Sequence, residues 1–184
     1  MKACIFFILG ALCCVGALAE VPAPIQKTGQ TTSYRGGDDG AFEAGVAWPN
    51  PRFTDQDDGT VLDNLTGLEW VKAPHSLPEN SSIVVRWSSG INFCNNLSYA
   101  DHSDWRLPSV KELMSLVDYG RYNPALPIGH PFVGVKNDSD VSGTTAQSSY
   151  YDGASIAFFI VMSDGEVDLS QKITDCYVWP VRTH

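Results

Sequence analysis

The stretch around Pro108 constrains the fold of this chain more than any other part of the sequence. Pro108 disfavours a helical conformation in Leu107, the residue before it, so a helix is not expected to include Leu107. Ser109 and Glu112 have the spacing of a capping box, in which each side chain bonds the backbone N–H of the other residue. Apolar residues follow along one helical face: Val110, Leu113, Met114 and Val117. The pattern predicts a helix over Val110–Tyr119 that ends at a left-handed Gly120.

The first nineteen residues have the composition of a secretory signal peptide. Lys2 provides a positive start, residues 5–18 are apolar, and the Ala-Leu-Ala before Glu20 fits the rule for signal cleavage. A membrane anchor is the alternative, but the apolar run is shorter than the roughly 20 residues that span a bilayer. We therefore expect an exported protein that is secreted, periplasmic or located at the cell surface.

The mature chain is expected to form one folded domain. Its length of about 165 residues lies within the range of single domains and is sufficient for a sizeable apolar core. Residues 20–50 are rich in Pro, Gly, Thr and Asp, and we expect an extended lead-in that packs through Phe42 and Trp48. Residues 51–184 are expected to form the domain itself.

The charge of the mature chain argues against nucleic acid as a partner. The sequence contains 12 Lys and Arg against 21 Asp and Glu, and loss of Lys2 leaves 11 against 21, a net charge of −10. The basic residues are scattered and form no run or aromatic-basic pattern. This acidic balance also opposes the binding of polyanions, unless folding collects Arg and Lys on one face.

Three of the five cysteines lie in the predicted signal peptide. Lipid attachment at Cys13 is disfavoured because the bulky Leu12 precedes it. Cys94 and Cys176 remain after cleavage, and an even number of cysteines in an exported chain favours one disulfide. Two buried thiols are the alternative.

The order of predicted elements indicates an α+β fold. Alternation and turn signals predict a β-meander with strands at Phe53–Asp55, Thr60–Asp63 and Leu68–Lys72. Helical spacing predicts a first helix over Ser88–Tyr99, ahead of the capped second helix. Residues 121–155 are expected to form a long polar loop, and further strands are expected at Ile156–Met162, Val167–Leu169 and Cys176–Arg182. Strands, two helices, a loop and strands again, without βαβ units, make an α+β class.

Signatures of catalysis and of tight metal sites are missing from the sequence. There is no Gly-x-Ser-x-Gly elbow, no Cys-x-x-Cys and no His-Glu-x-x-His. His102 and Asp104 could orient one another, but a lone pair of this kind is a weak indication of catalysis. We expect no catalytic residues, no enzymatic activity and no bound cofactor.

The polar loop is the predicted ligand surface. Its candidate ligand-binding residues are Asn137, Asp138, Asp140, Tyr150, Tyr151 and Asp152. The tyrosines could stack on a sugar or on a protein, because each has an apolar face and a polar tip. If a calcium ion is bound, hard oxygen ligands could come from Asp138, Asp140 and Asp152. The acidic cluster at Asp55, Asp57 and Asp58 is interpreted instead as a solvated hairpin turn.

Seven segments together resemble one bacterial family. They are Lys27–Thr31, Gly45–Asp55, Asp58–Val61, Asp63–Trp70, Cys94–Leu97, Asp104–Leu113 and Val178–Arg182. The chain resembles the family named for the C-terminal domain of the Legionella collagen-like adhesin, over nearly all of its mature length. The Trp-Arg-Leu-Pro motif within Asp104–Leu113 is the most specific of these segments.

The resemblance implies a C-type-lectin-like fold, in which a disulfide commonly joins the first helix to the last strand. Cys94 and Cys176 would make that link. It also implies a trimer that binds sulfated glycosaminoglycans, although this chain has no Gly-X-Y stalk and has net negative charge. Many relatives carry a Trp-Ser-Ser-Thr-like stretch where this chain has Ser142–Ser149 without the tryptophan.

The sequence thus favours an exported, non-catalytic, adhesin-like module that recognises a glycan or a surface protein. A homo-oligomer, in particular a trimer, is a possible assembly. One alternative is an enzyme on the related formylglycine-generating scaffold, which uses free cysteines. The other alternative is a structural subunit of a surface assembly.

Overall fold

The computed structural model describes residues 25–77, 85–147 and 155–184. The predicted signal peptide lies outside these residues. Within the described ranges, no helix has the length and apolar character that crossing a membrane requires.

The predicted meander forms a four-stranded antiparallel sheet. Strands β1 (Phe53–Asp55), β2 (Thr60–Asp63) and β3 (Leu68–Val71) pair in sequence, and β7 (Val181–Thr183) pairs with β3 at the edge. The turn before β2 carries two left-handed residues, Asp57 with φ of 61° and Gly59 with φ of 97°. The structure thus confirms the three meander strands. They are predictable because adjacent strands joined by short turns depend on local sequence signals.

A second antiparallel sheet has the order β4–β5–β6, with β4 (Ser139–Thr145), β5 (Ile156–Val161) and β6 (Glu166–Gln171). The prediction that residues 121–155 form one long loop is wrong, because Ser139–Thr145 form strand β4. Its residues are mostly polar, and its backbone is paired by β5, which follows later in the chain. The last predicted strand is also shorter than expected, since Cys176 and Tyr177 form only isolated bridges before β7.

The capped helix is confirmed as α3 (Val110–Leu116). Glu112 N–H donates to Ser109 Oγ at 3.3 Å, and Ser109 N–H donates to Glu112 Oε2 at 2.7 Å. The helix ends three residues earlier than predicted, because Val117 is extended and the next N–H groups donate to distant carbonyls. Gly120 consequently has no left-handed φ, and its N–H donates to the Asp118 carboxylate instead.

The other helices are α1 (Asp39–Phe42), a 3₁₀ turn at Pro74–Ser76, and α2 (Trp87–Asn96), which is the predicted first helix. Gly90 lies inside α2, where glycine is normally unfavourable. A Cβ at this position would lie 2.8 Å from Val178 Cγ1. The glycine therefore allows α2 to pack closely against the last segment of the chain.

Aromatic side chains form the centre of the main core cluster, which joins residues of the first sheet, α3 and β5. Trp179 packs edge-on against Trp70 and Phe132, with ring centroids 6.0 and 4.9 Å apart. Its Nε1–H donates to the Val71 carbonyl at 2.9 Å, so the polar part of the buried indole has a partner. The main cluster also contains Val61, Leu113, Leu116, Ile160, Met162 and Val181.

Cys94 on α2 and Cys176 lie in a second apolar cluster, and both are free thiols. The predicted disulfide is thus not formed in this structure. Burial raises the pKa of Cys94 to about 12. Burial, assisted by the negative charge of Asp140, raises the pKa of Cys176 to about 11.

Candidate functional site

The predicted ligand loop does not gather its residues on one surface. Asn137 and Asp138 are exposed ahead of β4, whereas Asp140 is fully buried within that strand. Tyr150, Tyr151 and Asp152 lie outside the described residues. Asp140 is therefore unavailable to a ligand at the surface, which the sequence analysis does not anticipate because it does not predict β4.

Asp140 instead forms a hydrogen bond with His75 of the 3₁₀ turn. His75 Nε2 lies 2.9 Å from Asp140 Oδ1, and both side chains are completely buried. Lys136 N–H donates to His75 Nδ1 at 3.2 Å, so the proton of the neutral ring is on Nε2 and faces the carboxylate. Burial raises the pKa of Asp140 above its ordinary value. With both ring nitrogens engaged, His75 joins the 3₁₀ turn to β4 and has no free nitrogen for proton transfer.

No group of three or more His, Cys, Asp and Glu side chains in the described ranges is placed to hold a metal ion. The calcium hypothesis at Asp138, Asp140 and Asp152 stays a prediction, because Asp152 is not among these residues. In the first hairpin, Asp58 Oδ1 accepts from Thr60 N–H at 2.8 Å, and Asp55 is paired with Lys72. These carboxylates are thus engaged in the turn, as their spacing indicated.

The N-terminal segment, residues 25–48, lies against the end of α3. Gln26 Nε2 donates to the Ser115 carbonyl at 3.2 Å, and Tyr119 N–H donates to the Thr28 carbonyl at 2.9 Å. Lys27 and Val46 are joined by a backbone hydrogen bond of 3.1 Å, which folds the segment back on itself. The segment is therefore a built part of the molecule, with its own surface clefts.

One of these clefts, with a volume of about 300 Å³, is lined by Trp48 and by charged side chains. We call it the Trp48 cleft. Its other lining residues include Lys27, Gln30, Thr31, Glu43, Asp118 and Arg121. The volume is at the lower end of the range of ligand pockets in proteins, roughly 300–1,000 Å³. A half-buried aromatic ring beside several hydrogen-bonding groups is a composition that can bind a small polar ligand.

The orientation of Trp48 is set before any ligand arrives. Its Nε1–H donates to the Lys27 carbonyl at 3.2 Å, and the guanidinium of Arg52 lies 4.9 Å from the ring centroid. Arg52 is held in turn by Asp63, through hydrogen bonds of 2.9 and 3.0 Å to its two carboxylate oxygens. The buried Arg52–Asp63 pair thus connects the first sheet to the aromatic wall of the cleft.

Gly29 brings the two walls of the cleft together. Its backbone φ is +88°, a value that residues other than glycine rarely adopt. A Cβ at Gly29 would lie 2.3 Å from Asp118 Oδ1 and 2.6 Å from Trp48 Cη2. The tryptophan ring and the carboxylate therefore both lie close to the space that a side chain at this position would fill.

Asp118 and Arg121 supply the charged part of the cleft. Arg121 Nε lies 4.0 Å from Asp118 Oδ2, and Gly120 N–H donates to Asp118 Oδ1 at 2.8 Å. Burial raises the pKa of Asp118, although the hydrogen bond from Gly120 opposes this shift. The carboxylate accepts hydrogen bonds and the guanidinium donates them, so the pair can serve both halves of a hydroxyl group.

A second cleft of about 290 Å³ adjoins the first and shares Gly29, Gln30, Thr31 and Arg121 with it. Tyrosines line it, and Tyr34 and Tyr122 are 81% and 79% exposed. The two adjoining clefts thus form one surface that has an aromatic ring in each part. This arrangement suits an extended ligand with apolar faces and polar edges.

A third cleft of about 480 Å³ lies between α3 and the start of the segment. Its walls are mainly apolar and include Ile25, Val46, Leu65 and Met114. It touches the other two clefts through Thr28 and Tyr119. All three clefts thus share the N-terminal segment as a wall.

The sequence predicts that Phe42 and Trp48 both pack against the domain, and the structure confirms this for Trp48 only. Trp48 packs on Arg52, but Phe42 is 73% exposed. Sequence reasoning missed the cleft because its walls, Lys27–Thr31 and Asp118–Arg121, are about 90 residues apart in the chain. In the sequence, Lys27–Thr31 is distinguished only by its resemblance to a family.

Comparison with known proteins adds one finding. The family model described as the Lcl C-terminal domain matches residues 59–182, more than half of the chain. Neither the curated proteins nor the solved structures that were searched contain a match. The N-terminal segment lies outside the matched residues, whereas Asp118 and Arg121 lie within them.

Proposed function

The chain belongs to the Lcl C-terminal domain family, and we propose that it is an exported, adhesin-like module that binds a glycan without catalysis. In this proposal the fold is C-type-lectin-like and the protein acts in the periplasm, at the cell surface or outside the cell. The glycan is held on the surface formed by the Trp48 cleft and its tyrosine-lined neighbour.

The observation that supports this proposal is the composition of the paired clefts. Trp48 and Asp118 line one cleft, Tyr122 lines the other, and Gln30 and Arg121 line both. A pyranose ring has apolar C–H faces and a rim of hydroxyl groups, so it needs aromatic surface and paired donors and acceptors together. Trp48 is already held in place by Arg52, which reduces the entropy lost on binding.

The surroundings of the cysteines and of His75 favour binding over catalysis. With pKa values raised to about 12 for Cys94 and about 11 for Cys176, both thiols stay protonated near neutral pH. A protonated thiol is a poor nucleophile. His75 is buried with both ring nitrogens hydrogen-bonded, so it is poorly placed to activate either thiol.

An exported protein meets an oxidising environment, and we propose that Cys94 and Cys176 then form the disulfide that the sequence predicts. The two residues already share one apolar cluster. Thiol titration of the denatured protein, isolated without reductant, distinguishes the two states. The disulfide predicts no reactive thiol in the mature chain, and two reactive thiols would contradict it.

The proposal is tested by screening the mature chain on a glycan array, in calcium and in chelator. We expect binding in both buffers, and loss of most of the signal in Trp48→Ala. Asn137→Ala combined with Asp138→Ala serves as the matched control, since it alters the surface favoured by sequence alone and leaves the clefts intact. The control is expected to bind as the wild type does.

Two results would contradict parts of this proposal. Binding that requires calcium and is lost in the Asn137/Asp138 variant would place the glycan on the polar loop. Absence of binding to any glycan, by protein shown to be folded, would contradict glycan recognition and favour a protein partner.

A further inference from the structure

We infer that the Trp48 cleft accepts an uncharged sugar residue rather than a sulfated or carboxylated one. This inference rests on the proposed glycan-binding function and specifies its ligand class. It is drawn from the pairing of charges in the cleft walls.

Each cation of the cleft already has an anion beside it. Lys27 Nζ lies 3.1 Å from Glu43 Oε2, and Arg121 Nε lies 4.0 Å from Asp118 Oδ2. The four side chains sum to zero formal charge. A sulfate group bound to either cation would lie beside the carboxylate paired with that cation, and the two anions would repel each other.

Arg52, the third cation near Trp48, is even less available. Its side chain is 6% exposed, it bonds both carboxylate oxygens of Asp63, and it donates to the Ser115 carbonyl at 2.7 Å. Moving Arg52 toward an anionic ligand would leave Asp63 buried and unpaired, which is strongly unfavourable. The guanidinium therefore supports the ring and leaves the anion-binding capacity of the cleft unchanged.

The paired charges suit hydroxyl groups well. A hydroxyl can donate to Asp118 and accept from Arg121 without separating them, because their 4.0 Å distance leaves room for bridging. Gln30 and Thr31, which line both clefts, carry an amide and a hydroxyl that can also donate and accept. An uncharged sugar gains these hydrogen bonds at no cost in ion pairing.

The net negative charge of the whole chain also disfavours anionic ligands. A net charge of −10 after signal removal, from 11 basic and 21 acidic residues, repels polyanions over distances beyond the cleft. A local excess of cations would be needed to overcome this repulsion, and the cleft has none.

The test compares uncharged oligosaccharides with sulfated glycosaminoglycans on the mature chain, by calorimetry or biolayer interferometry, at roughly 0.05 M and 0.5 M salt. We expect binding of an uncharged ligand whose Kd changes less than about twofold with salt. Trp48→Ala should weaken this binding at least about tenfold, and Trp48→Phe should restore part of it, because the ring provides the contact surface. Asp118→Asn, which retains the shape of the side chain, should weaken it several-fold.

The outcomes separate this inference from the proposed function. Binding confined to sulfated chains, and abolished by salt, would overturn the inference and leave glycan recognition standing. Uncharged binding that is indifferent to Trp48→Ala and Asp118→Asn would also overturn it, since the ligand would lie elsewhere. Absence of binding to every glycan would overturn the proposed function and the inference together.

Discussion

The aromatic core and the N-terminal segment both depend on tryptophans, but these tryptophans are used in opposite ways. Trp70 and Trp179 are fully buried and pack edge-on against each other in the main core cluster. Trp48 is only partly buried and lines a cleft, with one neighbouring cation holding it in place. A ring that is buried on all sides provides stability, whereas a ring held from one side leaves surface for a ligand.

The largest expected effect comes from removing the core ring. Trp179→Ala should lower the free energy of unfolding by about 4 kcal/mol, because it leaves a large cavity and an unpaired Val71 carbonyl. Urea denaturation followed by circular dichroism measures this loss. Tyr122→Ala is the exposed control and should change stability by no more than about 0.5 kcal/mol. Equal effects of the two substitutions would remove the distinction between core and surface rings.

The next largest effect should come from the connection between the two regions. Asp63→Ala leaves Arg52 buried without its anion, and it also removes the acceptor for Leu65 N–H. We expect a loss of about 3 kcal/mol in urea denaturation. We also expect weaker glycan binding at temperatures where the protein remains folded, because Trp48 loses its support. Unchanged affinity in folded Asp63→Ala would show that Arg52 does not position the ring.

A substitution in the N-terminal segment should affect binding more than stability. Gly29→Ala introduces a Cβ between Asp118 and Trp48 at a residue with φ of +88°. The expected cost is about 1–2 kcal/mol in stability, from the left-handed conformation, together with loss of glycan binding. Gly36→Ala is the matched control, since a Cβ there meets no atom within 4 Å. Retained binding in Gly29→Ala would mean that the cleft walls can separate without consequence.

The smallest effect is expected at the capping box, and it depends on pH. Burial alone would raise the pKa of Glu112, but hydrogen bonds from Arg106 and from Ser109 N–H outweigh it and lower the pKa. A lowered carboxyl pKa stabilises the fold above the unfolded-state pKa, and this contribution is lost as pH falls through the folded-state pKa. Glu112→Gln should therefore cost about 1 kcal/mol at pH 7.

This cost should decrease as the pH falls below the ordinary glutamate pKa of 4.5. Urea denaturation of the wild type and of Glu112→Gln at several pH values measures the difference. A cost that stays constant down to acid pH would show that the ionised carboxylate contributes nothing to the cap.

The elements that sequence reasoning located are those built from neighbouring residues. The capping box at Ser109 and the hairpin around Gly59 each depend on side chains within a few positions, and both have the predicted form. Strand β4 was missed because residues such as Ser139 and Ser142 have no apolar alternation, and only pairing with β5 makes them a strand. Asp140 was consequently assigned to a surface, although its β4 position places it in the interior.

The family, the α+β class and the start of α3 can be read from the sequence, because they follow from motifs and turns that operate over short distances. The candidate ligand site, in contrast, is formed by long-range contacts. The Trp48 cleft exists because the Thr28 carbonyl accepts the Tyr119 N–H, which brings Gly29 against Asp118. Contacts between residues this far apart in the chain depend on how the intervening core packs, and no local pattern of side chains encodes them.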